Sequence, residues 1–113
     1  MSKKIKQILA KKNKKKIVSL TAYSKNIAQI LDKYCDIILV GDSMANVLYG
    51  MKNTNQISVD SIIQHSISVS KGVKKSLLVV DMPRRACKNL IEAKKNAKLI
   101  FKKTKCDAVK VES

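Results

Sequence analysis

The stretch Asp36-Ile-Ile-Leu-Val-Gly-Asp-Ser43 decides the fold of this chain. Its short, uninterrupted apolar run over residues 37–40 predicts a strand buried on both faces, as in a parallel sheet covered by helices. Gly41 ends the run and permits a sharp turn or the close approach of a ligand to the backbone. Asp42 and Ser43 follow at the strand's C-terminal end, where α/β folds place their chemistry. Capping of the next helix is the alternative role of Asp42.

The pattern of an apolar run that ends in an acid occurs twice more, in Ser76-Leu-Leu-Val-Val-Asp81 and in Asp107-Ala-Val-Lys-Val-Glu112. Segments with helical periodicity separate the runs, which predicts β-α-β-α-β-α-β with right-handed crossovers after a leading helix. The C-terminal ends of successive parallel strands meet at one edge of the sheet. We therefore expect Asp42, Asp81 and Glu112 to form a site for a hard cation held by carboxylates.

Periodicity and turn residues place the individual elements. Strands are predicted over residues 17–21, 37–40, 77–80 and 108–111, and helices over residues 3–12, 27–34, 59–70 and 90–101. Residues 1–15 are expected to form a basic helix and linker, and residues 1–113 a single domain. Ser24 is a predicted N-cap, and Gly72 is expected to end the third helix. His65, beside an apolar stripe, is expected to be packed or hydrogen-bonded rather than catalytic.

The charge balance is strongly basic. The 113 residues carry 24 Lys plus Arg against 8 Asp plus Glu, a net charge of +16, which raises the alternative of a small nucleic-acid-binding protein. The excess is nearly all lysine, Arg84 and Arg85 being the exceptions, and no aromatic residues are interleaved with the basic runs. Base reading favours arginine and base stacking needs aromatics. We therefore expect a non-specific basic surface and no specific nucleic-acid partner.

Cysteine usage and hydropathy bear on the cellular compartment. Cys35, Cys87 and Cys106 are widely spaced, which argues against a disulfide framework and a zinc site and predicts free, buried or half-buried thiols. No apolar run approaches the roughly 20 residues that a membrane-spanning helix needs. Lys6 and Gln7 interrupt the apolar residues near the start, so the hydrophobic region of a secretory signal peptide is not predicted. These features predict a cytoplasmic protein without a membrane partner.

Five motifs in this order and spacing resemble a known family. They are Thr21-Ala-Tyr23, Val40-Gly-Asp-Ser43, His65, Asp81-Met-Pro83 and Lys110-Val-Glu112. From about residue 16 onward the chain resembles the N-terminal portion of the ketopantoate hydroxymethyltransferase (3-methyl-2-oxobutanoate hydroxymethyltransferase) family. The resemblance implies a (β/α)8 TIM barrel of the phosphoenolpyruvate-binding type, of which this chain is the N-terminal half. It also implies a homo-oligomer at full length.

The resemblance implies a transferase of pantothenate (coenzyme A precursor) biosynthesis. This activity moves a hydroxymethyl group from 5,10-methylenetetrahydrofolate, the co-substrate, to 3-methyl-2-oxobutanoate and gives 2-dehydropantoate. Magnesium is the implied cofactor, a Lewis acid on the keto oxygen that stabilises the enolate. The implied magnesium ligands are Asp42, Asp81 and Glu112, and the implied keto-acid contacts are Asp42, Ser43, Asp81 and Lys110. Pairing with one of the acids is the alternative role of Lys110.

The family's catalytic base is a glutamate in the second half of the barrel, so the resemblance implies no catalytic residue in this chain. We therefore expect an N-terminal part, as a fragment, a truncated product or one piece of a split enzyme, that is inactive alone because its C-terminal half is missing. The chain departs from the family at Arg84-Arg-Ala-Cys87, where an aromatic and small residues are usual, and at Ser24, where Asp is common. Another magnesium-dependent keto-acid lyase or mutase of the same barrel superfamily is the remaining alternative.

Overall fold

Four strands and five α-helices alternate along residues 2–112, the part of the chain that the computed structural model describes. The elements are, in order, α1 (Lys3–Ala10), β1 (Ser19–Thr21), α2 (Lys25–Leu31), β2 (Ile37–Val40), α3 (Met44–Val47), a first 3₁₀ turn (Thr54–Gln56), α4 (Val59–Ser70), β3 (Leu77–Asp81), a second 3₁₀ turn (Arg84–Cys87), α5 (Leu90–Thr104) and β4 (Ala108–Lys110).

The four strands form one parallel sheet in the order β1-β2-β3-β4. Ile37 of β2 lies opposite Ser19 of β1 and Leu77 of β3, and Val79 of β3 lies opposite Ala108 of β4. Strands that are neighbours in the sheet are also neighbours in the chain, with helical segments between them, as in consecutive units of a (β/α) barrel. The predicted α/β class with four parallel strands is confirmed.

The core lies between the sheet and the helices that pack on one of its faces. Ile38 and Val40 of β2 are fully buried, whereas Ile37 and Leu39 on the other face are half-buried. On the covered side, α4 packs against β2 and β3. The prediction that this strand is buried on both faces is therefore correct for one face and wrong for the other, which residues 2–112 cover only partly.

Strand β1 is shorter than predicted and begins at Ser19. The carboxylate of Asp36 explains the late start, because its Oδ2 accepts the Val18 N–H at 2.9 Å in place of a ladder carbonyl. The Val18 carbonyl in turn accepts the N–H groups of Asp36 and Ile37 at 2.8 and 3.1 Å. Strand β4 ends at Lys110, so Val111 lies outside it.

N-cap residues and one glycine shape the helices. The hydroxyl of Ser58 accepts the Ser61 N–H at 3.1 Å and starts α4. Ser24 is the N-cap residue of α2, as predicted, but its side chain makes no cap bond. Gly72 follows α4, as predicted. A Cβ at Gly72 would lie only 2.4 Å from the Lys25 carbonyl oxygen, so this glycine permits the close approach of α2.

Asp32 fastens α2 to the segment that leads into β3. Its carboxylate is 7% exposed and accepts backbone N–H bonds from Lys74 at 3.0 Å, Lys75 at 3.1 Å and Ser76 at 2.8 Å. Burial opposes ionisation, but these bonds outweigh it and hold the pKa of Asp32 below its usual value. Asp32 is therefore a structural carboxylate.

The thiols are free, with Cys106 buried and Cys35 and Cys87 half-buried, as predicted. Among the helices of residues 2–112, none combines the length and apolar character that crossing a membrane requires.

Candidate active site

The predicted acids come together at the C-terminal edge of the sheet. Asp81 is the last residue of β3, Asp42 follows β2 by two positions, and Glu112 follows β4 by two. All three line one cavity of about 190 Å³. The parallel register produces this convergence, because it brings the ends of the three strands to the same edge.

Asp81 is the most buried of the three acids that line this acid cavity. It is 4% exposed, and its Oδ2 accepts the backbone N–H of Asp42 at 3.2 Å. A Cβ at Gly41 would lie 3.5 Å from the same oxygen, an ordinary van der Waals distance, so this hydrogen bond does not require glycine. Asp42 does not cap α3, whose N-cap is Ser43.

Lys110 lies between two of the acids. Its ammonium donates to Asp81 Oδ1 at 3.0 Å and also to Glu112 Oε1. These contacts, the one with Glu112 first, raise the pKa of Lys110 although burial opposes them. Lys110 therefore remains a cation at neutral pH, and in this structure it takes the alternative role of an ion-pair partner, toward two acids.

The pKa of Asp42 reflects both its burial and the negative charge of the cavity. Burial raises the pKa of Asp42, and the charges of Asp81 and Glu112 add to the effect, whereas Thr54 and Lys110 oppose it. A divalent cation would relieve this repulsion, and carboxylates are the donors that Mg²⁺ and Ca²⁺ prefer. The donor chemistry thus fits a hard cation.

The acids are not, however, arranged as a finished metal site. Throughout residues 2–112, no three His, Cys, Asp or Glu side chains form a group that could hold an ion. Lys110 engages Asp81 and Glu112, so a cation would have to take over those carboxylates. Magnesium ligation by Asp42, Asp81 and Glu112 stays a prediction.

Ser43 belongs to a hydrogen-bond network that includes two tyrosines and His65. Its hydroxyl lies 2.7 Å from the hydroxyl of Tyr23. His65 Nδ1 lies 2.9 Å from the Tyr23 carbonyl oxygen, and Nε2 lies 2.7 Å from the Tyr49 hydroxyl. Because a carbonyl only accepts, Nδ1 carries the proton of the neutral ring, and Nε2 accepts from Tyr49. His65 is hydrogen-bonded at both nitrogens, as predicted, and orients the Tyr23 segment.

Sequence reasoning missed several residues of the acid cavity. Thr54 and Asn55, from the first 3₁₀ turn, and Arg84, from the second, also line it. The two turns contact each other over the strand ends, and the Asn53 side chain stabilises the first by accepting the Asn55 N–H at 3.0 Å. In the sequence these residues appear only as parts of polar loops, and no local pattern shows that the loops fold back to the ends of the strands.

A larger cavity, of about 510 Å³, lies at the opposite edge of the sheet. It is bordered by Leu77, at the start of β3, and by lysines of α1 and of the following turn. Ion pairs of Lys11 with Asp36 and of Lys4 with Asp107, the latter at 3.5 Å, fasten α1 there. The N-terminal ends of barrel strands contribute to stability rather than chemistry, so we place the candidate active site in the acid cavity.

Comparisons with known proteins show which family the chain belongs to. A family model described as ketopantoate hydroxymethyltransferase matches residues 2–113. A 3-methyl-2-oxobutanoate hydroxymethyltransferase from Pelagibacter ubique is 58% identical over 112 residues, which are 99% of this chain and 44% of the relative. Enzymes of the same name from Campylobacter fetus and Anaplasma marginale are 51% and 48% identical, over 96% and 93% of this chain and 41% and 38% of their own lengths.

The chain therefore spans about two-fifths of the length of these curated relatives. Since the family model covers nearly every residue, the chain belongs to the ketopantoate hydroxymethyltransferase family.

Proposed function

We propose that this chain supplies the N-terminal, substrate-binding part of a 3-methyl-2-oxobutanoate hydroxymethyltransferase. The observation that carries the proposal is the acid cavity, which three carboxylates line at the ends of three neighbouring parallel strands while Lys110 bonds to two of them. The name of the relatives supports the substrate, and no specific observation favours a lyase, a mutase or a nucleic-acid-binding protein. Pantothenate biosynthesis and a cytoplasmic location belong to the same proposal.

The keto acid offers a carboxylate and a neighbouring keto oxygen, a pair that chelates a hard cation. In this proposal Asp42, Asp81 and Glu112 hold Mg²⁺ directly or through water. When bound, Mg²⁺ supplies Lewis-acid polarisation of the keto oxygen, which makes the proton on the neighbouring carbon easier to remove. The Asp42 N–H, bonded to Asp81, keeps that carboxylate in place.

Lys110 changes partners in this scheme. With Asp81 and Glu112 holding Mg²⁺, the ammonium of Lys110 would be available to bind the substrate carboxylate. Like other lysines it is protonated at neutral pH, so it binds and neutralises charge rather than removing a proton. In this proposal the Ser43 hydroxyl, which lies 2.7 Å from the Tyr23 hydroxyl, donates to a substrate oxygen.

The base that removes the substrate proton comes, in this proposal, from outside the matched segment. The relatives are more than twice as long as the segment they share with this chain, which supports a contribution from their remaining part. We therefore expect turnover only when that remaining part is present, because general-base help is worth roughly 10²–10⁴-fold in rate.

A chimera tests the proposal. This chain replaces the segment that it matches in the Pelagibacter ubique relative, and formation of 2-dehydropantoate is measured with Mg²⁺, 5,10-methylenetetrahydrofolate and the keto acid. We expect turnover close to that of the parent, and its loss in the Asp81→Asn chimera but not in Asp60→Asn, which changes an exposed acid on α4. A folded chimera without turnover beside an active parent would contradict the proposal.

A further inference from the structure

A second cavity, of about 420 Å³, lies beside the acid cavity and has the opposite charge. Its lining residues are Asn55, Arg84, Arg85, Cys87, Lys88 and Glu112. Asn55, Arg84 and Glu112 border both cavities. The mouth of the sheet thus has an acidic compartment next to a basic one, which we call the basic cavity.

The cations of the basic cavity are not committed to other groups. Across residues 2–112, the ion pairs engage Lys4, Lys11 and Lys110, and none involves Arg84, Arg85 or Lys88. Its one acid, Glu112, is already bonded to Lys110. The cavity therefore keeps a surplus of positive charge that an anionic ligand would neutralise.

The turn that carries the arginines is held in place. Pro83 before it is fully buried, and its carbonyl accepts the Ala86 N–H at 2.9 Å. The Ala86 carbonyl accepts the Asn96 side-chain amide of α5 at 3.0 Å. Arg84 and Arg85 thus project from an anchored backbone.

The residue type is informative as well. Of 24 basic residues in the chain, only Arg84 and Arg85 are arginines, and both stand at this cavity. A guanidinium presents a planar fork of donors that matches the two oxygens of a carboxylate, which a lysine ammonium does not.

We propose that Arg84, Arg85 and Lys88 form a carboxylate-binding subsite that takes the glutamate end of the folate one-carbon donor. This inference rests on the proposed function, which places the keto acid in the neighbouring acid cavity. The keto acid has a single carboxylate, for which Lys110 and a bound cation already provide. A cavity of about 420 Å³ exceeds what one carboxylate fills, whereas a glutamyl group brings a carboxylate with a chain that occupies it.

The test uses the natural protein at its full length. Calorimetry measures the affinities of tetrahydrofolate with one and with three glutamates, and separately of 3-methyl-2-oxobutanoate with Mg²⁺. The variants are Arg85→Gln/Lys88→Gln, at two residues that line the basic cavity but not the acid cavity, the charge-conserving Arg85→Lys, and a matched control, Lys94→Gln/Lys95→Gln, which removes the same charge from exposed positions of α5.

We expect the wild type to bind the triglutamate more tightly than the monoglutamate. The glutamine variant should bind either folate at least about tenfold more weakly, as the loss of charge-assisted bonds predicts, and lose the preference for three glutamates. Its affinity for the keto acid with Mg²⁺ should stay within about twofold of the wild type. If circular dichroism shows that the glutamine variant is unfolded, the lysine variant decides. It should lose part of the folate affinity, because lysine keeps the positive charge but lacks the paired donors of a guanidinium.

Three results would overturn the inference while the proposed function stands: folate affinity unchanged in both arginine variants, loss of keto-acid affinity alone, or an equal loss in the Lys94 and Lys95 control. The second would assign the subsite to the keto-acid carboxylate, and the third would indicate non-specific charge attraction. If the wild type binds neither the keto acid nor folate, the proposed function fails and the subsite fails with it.

Discussion

Replacement of Asp81 by Asn is the most direct probe of the candidate site. The side chain keeps its shape and loses its charge, so the effect reports electrostatics and hydrogen bonding rather than packing. Asp81 now accepts from two donors, the Asp42 N–H at 3.2 Å and the Lys110 ammonium at 3.0 Å. An amide has one acceptor oxygen, so its NH₂ group would face one of those donors.

The expected cost separates into a stability part and a binding part. Lys110 keeps Glu112 as a partner and its side chain is 41% exposed, so the loss in free energy of unfolding should be modest, about 1 kcal/mol. Binding loses a charged ligand from a nearly buried position. Charge-assisted interactions of this kind are worth about 1.5–3 kcal/mol, which corresponds to roughly 10–150-fold in affinity.

Two measurements check this prediction in the chimera. Calorimetry with 3-methyl-2-oxobutanoate and Mg²⁺ should show the weaker binding in Asp81→Asn, whereas the exposed control Asp60→Asn should bind as the parent does. Carboxyl NMR should show the pKa of Asp42 falling toward its ordinary value, because the charge of Asp81 is one of its causes. Unchanged affinity would remove Asp81 from the site, and an unchanged pKa of Asp42 would refute the charge coupling between the two acids.

Three further predictions concern pH and packing in the same chimera. Because the pKa of Asp42 is raised, the Mg²⁺-dependent affinity for the keto acid should decline on acidification at a pH above the ordinary Asp value of about 3.9; a flat calorimetric profile from pH 7 to 4 would contradict this. Asp32→Asn should lower the free energy of unfolding by about 1.5–3 kcal/mol, measured with urea. Since the folded pKa of Asp32 is depressed, this difference should be complete above about pH 4 and vanish as the pH falls through the folded pKa; a difference that persists in strong acid would exclude the carboxylate as its origin. Gly72→Ala should cost about 1–3 kcal/mol, because its Cβ would meet the Lys25 carbonyl at 2.4 Å, whereas the exposed control Lys71→Ala should melt close to the parent.

Much of the fold could be predicted because the signals are local. The runs that contain β2 and β3 are apolar and short, and the helices between them keep one apolar face, so the order of elements follows from periodicity alone. Strand ends were less certain. Val18 was predicted to lie within the first strand, but a side chain from another element, that of Asp36, takes its N–H and delays the start of β1 to Ser19.

The candidate site could be predicted in part for the same reason. Each acid closes its own apolar run, so its place at a strand end is written in neighbouring residues. The partner of each acid is not local. Lys110 is near Glu112 in the chain but is 29 positions from Asp81, and only the pairing of β3 with β4 brings that contact about.

By itself, the sequence determined that parallel strands alternate with helices and end in Asp42, Asp81 and Glu112, because burial and chain direction impose patterns on adjacent residues. Only the tertiary structure decided that Lys110 lies between two of these acids and that two polar turns return to border them with Thr54 and Arg84. These contacts join segments far apart in the chain, and their geometry depends on how the elements pack rather than on the properties of any one segment.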